Sequence, residues 1–171
     1  MSLDFVLEQL FRVQNEIHRW GSASEITFET AKESFHVLSR FDSHGSSFKL
    51  LGVQFDLQLC MHEACSECAV EGHWRLSSLL RARRFFSLKD FTLHYKAHIL
   101  SFIEYRTPAI THAACVHLGL VDSVQKWFLR NINVTPYEAL HQLNLAPLSC
   151  RRDIANLGII FRASRKEVLI T

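Results

Sequence analysis

Apolar residues near the start of the chain recur at three- and four-residue steps: Leu3, Val6, Leu7, Leu10, Phe11, Val13, Ile17 and Trp20. That period predicts an amphipathic helix, with Ser2 as cap, Asp4 in the first turn and Gly21-Ser22 as the stop. Two short strands are expected next. Glu25-Ile26-Thr27-Phe28 is the first; Ser34-Phe35-His36-Val37-Leu38, alternating polar and apolar, is the second. The polar stretch Asp42 to Ser47 contains Gly45 and suits a hairpin turn. The apolar run Phe48 to Asp56 then reads as a third strand, bent at Gly52. A small antiparallel sheet of about three strands, backed by one helix, is the expected fold of residues 1–57. So small a piece buries little area and needs further partners.

Beyond this run the period is helical. Leu59 to Arg84 predicts one helix. Ser87 caps a second, lined by Phe91, Tyr95, Ile99, Phe102 and Ile103 and broken at Thr107-Pro108. His112 to Ile132 predicts a third. Thr135-Pro136-Tyr137-Glu138 opens a short fourth with a cap and a proline at the first helical position. Ala146-Pro147-Leu148-Ser149 opens a fifth, through Ile154, Leu157, Ile160 and Phe161. The expected class is α+β: a mixed piece over 1–57, an all-helical piece over 58–163, and a tail over 164–171.

Composition narrows the classes. The 171 residues are 48% hydrophobic and 21% charged, enough for a core. No run of apolar residues is long enough for a membrane span. Five cysteines, with no export signal in view, suit reduced thiols in the nucleus or cytoplasm of a protein that is not secreted. Residues 1–57 hold 5 Lys/Arg against 8 Asp/Glu, and residues 58–171 hold 14 against 9, so the helical part is mildly basic. Its cations include Arg75, Arg81, Arg83, Arg84, Lys89, Lys96, Lys126, Arg130, Arg151 and Arg152, with Trp74, Phe85, Phe86, Tyr95 and Trp127 among them. Such residues suit contacts with a phosphate backbone, or simply a solvated surface over an aromatic core.

Cys60, His62, Cys65, Cys68 and His73 are dense in the ligands zinc prefers. They fall within one expected helix, and four ligands on one continuous helix cannot surround an ion. Buried thiols that pack as small hydrophobes are the expected reading, and no metal site is assigned. Neither a Gly-x-Ser-x-Gly elbow nor a glycine-rich phosphate loop occurs. The aspartates are too scattered in sequence for a two-metal cluster.

The order of segments resembles the C-terminal part of the reverse transcriptases of non-LTR retrotransposons. The residues that carry it begin with His18-Arg19-Trp20-Gly21, Phe28, Lys32-Glu33-Ser34 and Phe48-Lys49-Leu50-Leu51-Gly52-Val53. Trp74-Arg75-Leu76, Leu79-Leu80-Arg81 and Arg83-Arg84-Phe85 follow, then Tyr95-Lys96-Ala97, Phe102-Ile103-Glu104-Tyr105 and Pro108. Val121-Asp122-Ser123-Val124-Gln125, Phe128-Leu129-Arg130, Leu143-Asn144-Leu145-Ala146-Pro147-Leu148 and Arg151-Arg152-Asp153-Ile154 complete it.

The resemblance implies a role for each segment. The first helix corresponds to the palm helix after the catalytic Tyr-x-Asp-Asp motif. Lys32 corresponds to an auxiliary lysine near the leaving pyrophosphate. Leu51, Gly52 and Val53 fall in the primer-grip hairpin. The later helices correspond to a thumb that holds an RNA–DNA or DNA duplex, with Arg81, Arg83, Arg84, Lys96, Lys126 and Arg130 on its backbone. The intact family uses magnesium bound by aspartates that precede this part. The fingers and most of the palm would be its missing partners, and this chain alone is expected not to polymerise. A helical module that binds another protein is the alternative.

Overall fold

The computed structural model describes residues 3–39 and 43–165. The expected cap Ser2, the start of the turn at Asp42 and tail residues 166–171 lie outside them. The chain is α+β, mostly helical, with a two-stranded antiparallel sheet. It forms two compact units, Met1–Phe48 with Asp56–Leu59, and Lys49–Phe55 with Cys60–Thr171.

The first unit is built on α1 (Leu3–Ala23). The helix stops where expected: the Ile26 N–H donates to the Gly21 carbonyl at 2.8 Å and the chain doubles back. Gly21 is needed there, since a Cβ would lie 2.4 Å from the Phe28 ring. This packing replaces the first expected strand. Glu25 is left-handed at φ 58, and a 3-10 turn, Thr30–Lys32, follows. The second expected strand is reduced to one antiparallel bridge, Val37 to His44. Alternation along Ser34–Leu38 marks a drier face; it does not supply the partner strand a ladder needs. Phe5, Phe11, Val13, Ile17 and Trp20 of α1 stay exposed.

The apolar run Phe48 to Asp56 forms a hairpin, not one bent strand. β1 (Phe48–Leu50) and β2 (Val53–Phe55) are joined by Leu51 and Gly52, at φ 50 and φ 78. Two consecutive left-handed residues make the tight turn whose twist matches paired strands. The sequence groups these residues with the first piece, but contacts group residues 49–55 with the helices. Val53 is buried, and side chains of a later helix hold the turn.

The helices are α2 (His62–Arg81), α3 (Leu88–Tyr95), α4 (Ser101–Ile110), α5 (Cys115–Ile132), α6 (Pro136–Leu143) and α7 (Leu148–Ser164). A π turn, Lys96–Leu100, joins α3 to α4 without a break. Pro108 does not end α4. It removes one donor near the C-terminus, and the helix closes two residues later at Ile110. The expected caps are present: the Ser87 hydroxyl accepts from the Asp90 N–H at 3.2 Å, and Thr135 with Glu138 forms a reciprocal capping box.

α2 presents a face of small residues, Ala64, Cys65, Cys68, Ala69 and Gly72, all buried. They let α5 come close, to the point that a Cβ on Gly72 would lie 3.1 Å from a Val124 methyl. Contacts of α2 with α5 advance together along both helices, His62 with His117 and His73 with Ser123, and Arg83 just past α2 meets Asn131, so the two helices are parallel. α3 and α4 form the return between them. Tyr95 stacks on Phe128 at 3.9 Å between centroids, and Leu76, Ile99, Ile103, Ile110, Val121 and Val124 complete the core.

Two charged pairs brace α7. Arg152 is buried and makes two bonds to the Asp122 carboxylate, at 2.6 and 3.0 Å, while Arg151 pairs with Glu104.

Candidate nucleic-acid interface

The hairpin tip is the most distinctive surface feature of the helical unit. Leu51 is 79% exposed and sits in the left-handed region, where a bulky L-residue is strained. Apart from its own chain neighbours, no described residue comes within 4 Å of where a Gly52 Cβ would be. The tip is nonetheless fixed from below. The Tyr105 hydroxyl donates to the Leu51 carbonyl at 2.9 Å, and the Arg106 guanidinium donates to the Gly52 carbonyl at 3.2 Å. Both donors come from the α4 turn that the π turn precedes. Rigid backbone, exposed apolar tip and local strain coincide, the combination found where a chain is shaped for contact rather than stability.

Beside the hairpin lies a polar cleft lined by Lys49, Glu67, Glu71, Arg75, Phe102 and Arg106. The guanidiniums of Arg75 and Arg106 each lie 4.0 Å from the centroid of the Phe102 ring, and Arg75 also pairs with Glu71 at 2.8 Å. The sequence lists Arg75 only as one cation among many. Its stacking on Phe102 joins α2 to α4, a contact that no linear pattern reveals, while Arg106, one turn after Phe102 on α4 itself, covers the same ring.

The six expected backbone contacts do not form one set. Arg81 closes α2, and Arg83 and Arg84 lie in the 3-10 turn Arg83–Phe85 that follows. Arg83 donates to the Asn131 carbonyl at the end of α5, next to Arg130. Arg81, Arg83, Arg84 and Arg130 therefore share one end of the parallel α2–α5 pair, and all four are exposed. Cations there also offset the negative ends of two helix dipoles. Arg84 lies 4.7 Å from the Phe85 ring centroid. Lys126, one turn before Arg130, is exposed beside Leu129 and Pro136. Lys96 is different: half-buried, its ammonium donates to the Leu143 carbonyl at 2.6 Å and closes the end of α6.

In the first unit, Lys32 is exposed and pairs with Glu29 of its own turn at 2.6 Å. The adjacent Glu33 is the better-built group. It accepts from Gln14, and the His18 ring nitrogen lies 2.8 Å away. The His18 and Gln14 bonds hold its carboxyl below the usual carboxylate range. Sequence reading missed this trio, although Gln14 and His18 are one helical turn apart.

Cys65 and Cys68 point into the core, where burial pushes the Cys68 thiol up to about 11 and raises Cys65 as well. They are inert packing groups. His73 turns to Ser123 at 2.9 Å, away from both thiols. Among the described residues no three His, Cys, Asp or Glu side chains converge to hold an ion. Among the described residues no helix is long and apolar enough to cross a membrane.

Comparison of the chain with protein-family models, with curated proteins and with solved structures gives no match.

Proposed function

We propose that this chain is the primer-grip and thumb part of a reverse transcriptase of the non-LTR retrotransposon kind, and that its role is to hold a template–primer duplex by its backbone. The observation that carries this reading is the hairpin tip. Leu51 is projected in a strained conformation from a turn whose two carbonyls are pinned by α4. The run of segments supports it too: a helix, then a hairpin, then a helical bundle, in the order the resemblance implies. The arginines at the paired ends of α2 and α5 give the duplex a sequence-independent partner. The role is binding; no bond-making step is assigned to this chain.

The test compares the chain with its Leu51→Asn variant on two RNA–DNA hybrids, one blunt and one with a recessed primer 3′ end. The reading predicts tighter binding of the recessed hybrid, and loss of that preference in the variant. Equal affinity for both hybrids in the unaltered chain contradicts it. A second reading, a protein-interaction module, draws on Ile154, Leu157 and Phe161, which share an exposed face of α7. Failure to bind either hybrid at low salt favours it.

A further inference from the structure

The N-terminal ends of α2 and α5 bring together two histidines that lie 55 residues apart in sequence. The Nδ1 atoms of His62 and His117 are 3.2 Å apart, and their ring centroids are 4.6 Å apart at 49°. His62 is exposed and His117 half-buried. Two imidazole nitrogens facing each other leave one of them without a proton to donate, so the pair gains at most one hydrogen bond. The separation fits another use. Two nitrogens each bound at about 2.0–2.1 Å to a tetrahedral ion stand roughly 3.3 Å apart. The observed spacing meets that bite, and the rings need only turn until both Nδ1 lone pairs point at a shared ion instead of at each other.

We propose that His62 and His117 form a binding site for a divalent ion of the zinc class, with solvent filling the remaining positions. The site is distinct from the Cys60–His73 run as a whole: it takes one residue from that run and its partner from another helix. This removes the objection that ligands on a single helix cannot surround an ion. The neighbouring cysteines do not add to it. Cys115 precedes His117 by two positions on α5, and such residues face opposite sides of a helix. A bound ion would clip the starts of α2 and α5 together directly after the hairpin. The positive ends of two helix dipoles oppose a cation here, so binding weaker than that of a four-ligand structural site is expected.

The pair His94 and His98, one helical turn apart with centroids at 6.0 Å, supplies an internal control. The experiment titrates ZnCl2 into the metal-free full chain at pH 7.5 by calorimetry, and follows the histidine ring resonances by NMR. The expected result is one saturable equivalent that shifts the His62 and His117 resonances. Affinity should fall at least tenfold in His62→Ala and in His117→Ala, and stay within twofold in the His94→Ala/His98→Ala double variant. Circular dichroism of each variant checks that it remains folded. Absence of a saturable equivalent overturns the proposal. So does an equivalent that survives either single substitution, or one that is lost with His94 and His98.

Discussion

Removing one partner of the Arg152–Asp122 pair should cost different amounts depending on which partner goes. The Arg152 side chain is 8% exposed and that of Asp122 24%, so a quarter of the carboxylate surface already meets water. Asp122→Ala leaves a buried guanidinium without its counter-charge, and such losses cost about 3–5 kcal/mol. Arg152→Met keeps most of the stem that packs against the core and leaves the partly wet carboxylate, which recovers part of its solvation; about 1–3 kcal/mol is expected. The double variant carries no stranded charge. It should therefore be more stable than Asp122→Ala alone by roughly 1–2 kcal/mol, although it carries one more substitution. Urea unfolding followed by circular dichroism at 222 nm, on the four proteins of the cycle, measures this. If the two single losses simply add in the double variant, the pair does not act as a coupled unit and the account of how α7 is held to α5 is wrong.

Other expectations follow from single contacts. Leu51→Asn, which relieves left-handed strain at the hairpin tip, should stabilise the chain by roughly 0.5–1 kcal/mol in the same urea assay; a loss of stability would refute the turn geometry. Gly72→Leu should destabilise by about 1–3 kcal/mol, because any side chain there meets Val124, and a neutral result would mean that α2 and α5 are not that close. Thr135→Ala should cost about 1 kcal/mol through the capping box; unchanged melting would argue against that cap. Glu33 is depressed in the folded chain, so its contribution is present above the ordinary value of 4.5 and is lost as pH falls through its lower folded value. Carboxyl NMR titration should find Glu33 moving back toward 4.5 when His18 is replaced by Ala, and no movement would sever the two.

The helical unit was largely legible in the sequence because its signals are local. Ser87 and Thr135 cap where capping chemistry requires, and Phe91, Tyr95 and Ile103 bury as their spacing implies. The expected strands failed for a non-local reason. Ser34–Leu38 alternates correctly, but pairing depends on what lies beside it, and among the described residues its ladder is the single bridge from Val37 to His44. Glu25 turns left-handed because Phe28 packs onto the end of α1 at Gly21, a contact no period encodes. The hairpin within Phe48–Asp56 lacked the usual Asn-Gly signal, since Leu51 takes the place where Asn is favoured. At the interface, exposure of Arg81, Arg84 and Arg130 was readable from charge. The diversion of Lys96 to the Leu143 carbonyl, and of Arg152 into the core, required the tertiary structure.

The most direct measurement is the salt dependence of duplex binding. With three or four of Arg81, Arg83, Arg84, Lys126 and Arg130 on phosphates, the log–log slope of affinity against salt should be about −2.7 to −3.6. Fluorescence anisotropy with a labelled RNA–DNA hybrid should then show affinity falling roughly 40- to 150-fold between 50 and 200 mM salt. The Arg81→Ala/Arg84→Ala/Arg130→Ala variant should have a slope shallower by two or more. No binding at 50 mM salt, or a slope the triple variant leaves unchanged, would contradict the claim that this helical unit grips a nucleic-acid backbone.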